Sequence, residues 1–103
     1  MTRVVAERMP EVAALCRRHH VRRLALFGSA TSDRFDPAAS DLDFLVEFEP
    51  MPPADHADSY FDLLHGLEDL FARPVDLVER GPINNPYLLA AIRESEVELY
   101  EAA

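Results

Sequence analysis

Two apolar runs, VRRLALFG at residues 21–28 and DLDFLVEF at residues 41–48, do most to limit how this chain folds. Each has the length and apolar weight of a buried strand. The first closes on a glycine. The second carries two aspartates, Asp41 and Asp43, although Asp is depleted in strands. Residues two apart in a strand point to the same side, so the pair shares one face while Leu42 and Phe44 enter the core. The polar connection TSDRFDPAAS, residues 31–40, has room for one short helical turn. A connection this short makes the two strands antiparallel neighbours.

Around this pair the pattern is helical. Pro10 suits the first turn of a helix, and Val12, Leu15 and Cys16 then repeat at helical spacing as far as His19 and His20. Residues 2–8 are expected to form a short helical lead-in. After a proline-rich loop, EPMPPAD at residues 49–55, Tyr60, Leu63, Leu64, Leu67, Leu70 and Phe71 mark the core face of a long amphipathic helix. RPVDLVE, residues 73–79, reads as a third strand, reached by a crossover through that helix. Asn85 and Pro86 read as the N-cap and first residue of a final helix that runs to about Glu94 and turns Leu88, Ala91 and Ile92 to the core. The expected order is α-β-(α)-β-α-β-α, an α/β (α+β) fold with a small mixed sheet flanked by helices.

At 103 residues the chain is expected to be a single domain, 1–103, with one hydrophobic core. The net charge of −9, from 19 acidic and 10 basic side chains, argues against a broad nucleic-acid surface, because such surfaces neutralise phosphates with Lys and Arg. It remains compatible with a site for divalent cations. A lone cysteine, Cys16, suits a reducing compartment, and neither a signal peptide nor a spanning segment is visible, so a cytoplasmic location is expected.

Two carboxylates on one strand face repel each other, and one tends to protonate unless a cation intervenes. Oxygen-only donors favour hard cations such as Mg²⁺, which takes one or two carboxylates together with substrate phosphates. Alone, an Asp-X-Asp at a loop–strand junction is a solvated strand start with Ser40 capping the turn. Two features add to it. Gly28-Ser29 ends the preceding strand, where a glycine admits a phosphate close to the backbone and a hydroxyl can donate to it. Asp76, flanked by Val75 and Leu77, is a third acid on a predicted strand. Three carboxylates from two strands match the needs of two-metal phosphoryl transfer.

Gly-Ser, then residues 30–40, then Asp-Leu-Asp, and a later strand Asp together resemble the polymerase-beta-like nucleotidyltransferase superfamily. The chain is most similar to its minimal nucleotidyltransferase (MNT) branch, the antitoxins of HEPN/MNT toxin–antitoxin pairs. The segments that carry this are VRRLALFGSA, SDLDFLVEF, VDLVE and NNPYLLAAIRESEVELY. The resemblance implies the nucleotidyltransferase fold and Mg²⁺-dependent transfer of AMP from ATP to a hydroxyl, with two ions. By position, Gly28 and Ser29 hold the triphosphate, Asp41 and Asp43 coordinate the metals, and Asp76 is the third carboxylate, acting at the attacking hydroxyl. The implied partner is a HEPN-domain RNase toxin, inhibited by complex formation or by adenylylation of a tyrosine. Many relatives carry a glycine, often with a nearby arginine, a few residues after Gly-Ser; here ATSDRFD places Asp33 there, with Arg34 beside it as a phosphate contact.

Two alternatives stay open at this point. One is an antitoxin that only binds, its acidic surface complementing a basic RNase. The other is a nucleotidyltransferase for a small molecule or an RNA end. Arg17, Arg18, Arg22 and Arg23 read as solvated surface, and Tyr60 and Tyr87 as core-edge residues. Phe35 and Tyr100 are free to cover a nucleotide base or a partner.

Overall fold

The computed structural model describes residues 2–31, 36, 41–81 and 84–103. Helices α1 (Arg3–Ala6) and α2 (Met9–Arg18) lead into strand β1 (Val21–Phe27), followed at once by a 3₁₀ turn, Gly28–Thr31. Then come β2 (Leu42–Phe48), α3 (Pro53–Phe71), β3 (Val75–Glu79), α4 (Pro86–Ser95) and β4 (Val97–Glu101). Among the described residues the strands form one sheet in the order β3-β2-β1-β4. β1 runs antiparallel to both β2 and β4, whereas β2 and β3 are parallel, joined by the α3 crossover. This is the expected mixed sheet with one strand more.

Alternation along the strands gives the sheet two different faces. Leu24 and Leu26 of β1, Leu42, Phe44, Val46 and Phe48 of β2, and Leu77 of β3 form the main core with Val5, Val12, Cys16, Leu63, Leu67 and Phe71. Helices α1, α2 and α3 therefore cover one face. The other face carries Ala25 and Leu45, with Phe27 and Val78 beside them, and α4 meets it through Ile92. Asp43 and Asp76 alternate with Phe44 and Leu77, so they lie on this thinner face, the α4 side.

Helix ends follow local chemistry. Asn85 caps α4 as expected, its side chain accepting from the N–H groups of Tyr87 and Leu88 at 2.9 and 3.3 Å. Helix α3 begins earlier than expected, at Pro53, because a proline in the first helical turn surrenders no needed N–H and already has a helical φ. Pro53, Ala54 and Asp55 thus belong to the helix, and the loop is shorter. A 3₁₀ turn spans Gly28–Thr31, and most of the 31–40 connection, where a short helical turn is expected, lies outside the described residues.

Other expectations also give way. Ile92 is buried, but Leu88 is 38% exposed and Ala91 is exposed, because α4 touches the sheet along a narrow stripe. Tyr87 is 86% exposed rather than at a core edge. Tyr60 does lie at the core edge, its hydroxyl donating to the Leu77 carbonyl at 2.6 Å and tying α3 to β3. Cys16 is a buried core residue whose thiol is pushed up to about 12 by desolvation, so it is inert. Arg22 and Arg23 form peripheral ion pairs with Glu47 and Glu98. Among the described residues no helix is long and apolar enough to cross a membrane.

Candidate active site

The parallel register sets Asp43 of β2 directly against Asp76 of β3. On its other side Asp43 pairs with Phe27, the last residue of β1, so the chain leaving β1 at Gly28 passes beside the aspartate. Contact there is close: a Cβ on Gly28 would lie 2.5 Å from Oδ2 of Asp43. Gly28 also holds a left-handed backbone with φ +75°, a conformation that side chains disfavour. The positive φ favours a glycine at the end of this strand, and any side chain there would have to displace the Asp43 carboxylate.

Electrostatics register the same crowding. Burial pushes the Asp43 carboxyl above the usual range, and the negative charges of Asp76 and then Asp41 push it further. Asp41 itself is exposed, just before β2, and Asp76 is exposed on its edge strand. Asp76 and Asp41 therefore both act on Asp43 at one end of the sheet, and carboxylate oxygens are donors suited to a hard divalent cation. Among the described residues no three His, Cys, Asp or Glu side chains are already drawn into a metal cage.

Ser95, the last residue of α4, belongs to this region and was not singled out from the sequence. Its hydroxyl accepts from the Gly28 N–H at 3.1 Å and donates to the Ala91 carbonyl at 3.1 Å. The turn after β1 is further tied by Thr31 Oγ1, which donates to the Gly28 carbonyl at 2.9 Å, and by the Thr2 N–H, which donates to the Ala30 carbonyl at 2.7 Å. Ser29 lies within this turn. Arg34, Asp33, Phe35 and Ser40 lie outside the described residues. Tyr100 packs against the main core, on the sheet face away from Asp43, and so is poorly placed to cover a base held by the aspartates.

A model of the nucleotidyltransferase domain matches residues 12–99, which span β1, β2, β3 and the three aspartates. The chain belongs to the nucleotidyltransferase family. A Methanocaldococcus jannaschii relative, described as a candidate protein adenylyltransferase, is 39% identical over 77 residues, 75% of this chain and 74% of its own. The solved structure of a candidate minimal nucleotidyltransferase is 31% identical with a TM-score of 0.64, covering 90% of each chain. A chain from the complex of a tri-AMPylated Shewanella oneidensis HEPN toxin with an MNT antitoxin superposes at TM-score 0.64. It is 17% identical and covers 94% of this chain and 72% of that one, a likeness of fold alone. The sheet and helices of this nucleotidyltransferase are thus those of the polymerase-beta-like fold.

Within this nucleotidyltransferase, Gly28, Asp43 and Asp76 are brought together by strand register, with Asp41 close enough to act on Asp43. No sequence motif advertised Ser95, since a serine in the last turn of a helix is unremarkable until the helix docks.

Proposed function

We propose that this nucleotidyltransferase is a protein adenylyltransferase that moves AMP from ATP to a hydroxyl, a tyrosine, on a HEPN toxin and thereby neutralises it. The observation that carries this reading is the alignment of Asp43 with Asp76 beside the Gly28 turn. The M. jannaschii relative bears the protein adenylyltransferase description, and the S. oneidensis neighbour comes from a complex with an AMPylated toxin. Both support the choice of AMP and of a protein acceptor.

In this reading Gly28 and Ser29, with Arg34, hold the triphosphate, and Asp41, Asp43 and Asp76 hold two Mg²⁺ ions. Bound there, Mg²⁺ would neutralise charge on the phosphates and lower the pKa of the attacking hydroxyl. Asp76 orients that hydroxyl and takes up its proton. The hydroxyl oxygen bonds to the α-phosphorus, the bond to the β-phosphate oxygen breaks, and pyrophosphate leaves. Asp43 must be ionised for this, and a cation favours that state against the burial and repulsion that oppose it.

The test is transfer of label from α-labelled ATP to the HEPN partner in the presence of Mg²⁺. Wild-type protein is expected to label the partner, and the Asp41→Ala/Asp43→Ala variant to label nothing. Equal labelling by the two would overturn the catalytic reading. Binding-only inhibition is the second reading, favoured by Asp33 in the loop after Gly-Ser and by the net charge of −9, which would complement a basic RNase. Undiminished neutralisation by the double variant, without labelling by either form, selects it. Turnover on a small molecule or RNA end with no protein labelled selects a different acceptor.

A further inference from the structure

We propose that Ser95 is a positioning residue for nucleotide binding: through the Gly28 N–H it fixes the turn that lies against Asp43. The inference rests on the nucleotidyl-transfer reading and names a residue of that site which neither the aspartates nor the Gly-Ser pair includes.

The chemistry starts from the Gly28 N–H, a part-buried donor at the point where β1 ends. It has left the strand ladder, and a buried donor without a partner costs free energy. Ser95 supplies the partner from another element, 67 residues further along the chain. Its single hydroxyl proton is already committed to the Ala91 carbonyl, one helical turn back. That commitment orients the oxygen lone pairs for the Gly28 N–H. Ile92, buried between α4 and the sheet, sets the height of the helix and hence the place of Ser95.

The consequence reaches Asp43. Gly28 leaves no room for a side chain against Oδ2 of Asp43, so movement of the turn changes the space around that carboxylate. With its N–H held by Ser95, Gly28 contributes steric room and turn geometry to the site. Loss of the Ser95 hydroxyl frees the turn and weakens the grip on a triphosphate without touching the three carboxylates.

Three proteins decide the matter: wild type, Ser95→Ala and Ser95→Thr. Residue-resolved amide hydrogen exchange reads the tether, titration with Mg·ATP reads affinity, and label transfer to the HEPN partner is recorded separately. In Ser95→Ala the Gly28 amide is expected to exchange about tenfold faster, as when a donor loses its acceptor. The amides of Leu26 and Leu45 keep their wild-type rates, and Mg·ATP binds about three- to tenfold more weakly. Ser95→Thr retains the hydroxyl and restores both readouts. Unchanged Gly28 exchange or unchanged Mg·ATP affinity in Ser95→Ala overturns the proposal. A parallel rise at Leu26 and Leu45, or failure of Ser95→Thr to rescue, also overturns it and leaves Ser95 a packing residue. Should wild type bind Mg·ATP but transfer nothing, the adenylyltransferase reading falls while Ser95 is still judged on affinity. Should wild type bind no Mg·ATP, both fall.

Discussion

Gly28 stands so close to Asp43 that a Cβ on the glycine would lie 2.5 Å from the aspartate Oδ2. Gly28→Ala is therefore penalised twice. Holding an L-residue at φ +75° costs about 1–2 kcal/mol, and the new methyl also displaces the carboxylate. Urea denaturation is expected to show the first loss and the label-transfer assay a larger one. An alanine variant with wild-type stability and labelling would contradict this account of the turn.

Asp43 carries a pH signature of its own. Burial, then Asp76, then Asp41 raise its folded-state pKa above the ordinary 3.8, so the native state keeps a proton that the unfolded chain releases. Stability from this group is fully present below the ordinary value and is lost as pH rises through the raised one. Without divalent cations, Asp43→Asn is expected to melt above wild type at neutral pH, with the gap closing on acidification. Parallel melting curves across that window would show that the carboxylate is not strained.

Mg²⁺ should reverse that strain. A ligand that binds only the native state stabilises it by about 2.7 kcal/mol at a hundredfold excess over its dissociation constant. Wild-type protein is expected to melt higher with Mg²⁺, whereas Asp41→Ala/Asp43→Ala gains nothing. Equal gains in both proteins would place the cation elsewhere.

Helix α4 is held to the sheet through Ile92, and truncating it should show how much depends on that contact. Ile92→Ala is expected to cost about 2–5 kcal/mol, in the range for emptying a buried aliphatic site. Leu88→Ala, at a position 38% exposed, should fall within about 0.5 kcal/mol of wild type. The comparison by denaturant melts separates docking of α4 from its intrinsic helicity. Similar losses at the two positions would mean that α4 buries a different face.

Much of the fold was legible because local rules and tertiary packing agree. VRRLALFG and DLDFLVEF are strands whose alternate side chains enter the main core, and Asn85-Pro86 caps a helix as its chemistry requires. β4 was missed because VELYE is short and carries two glutamates, a residue type depleted in strands. It becomes a strand by pairing with β1, where Leu24 meets Tyr100 and Leu26 meets Val97. Leu88 and Ala91 were misassigned because helical periodicity gives a face but not its width.

For the site, sequence alone singled out the candidate residues: Gly28, Ser29 and three aspartates whose placement in apolar runs makes no sense as packing. Only the tertiary structure decided that Asp43 faces Asp76, that both share the α4 side of the sheet, and that Ser95 reaches Gly28. The physical reason is that a carboxylate or hydroxyl announces its type locally. Strand register and helix docking, which give it a neighbour, are fixed by burial of side chains many residues away.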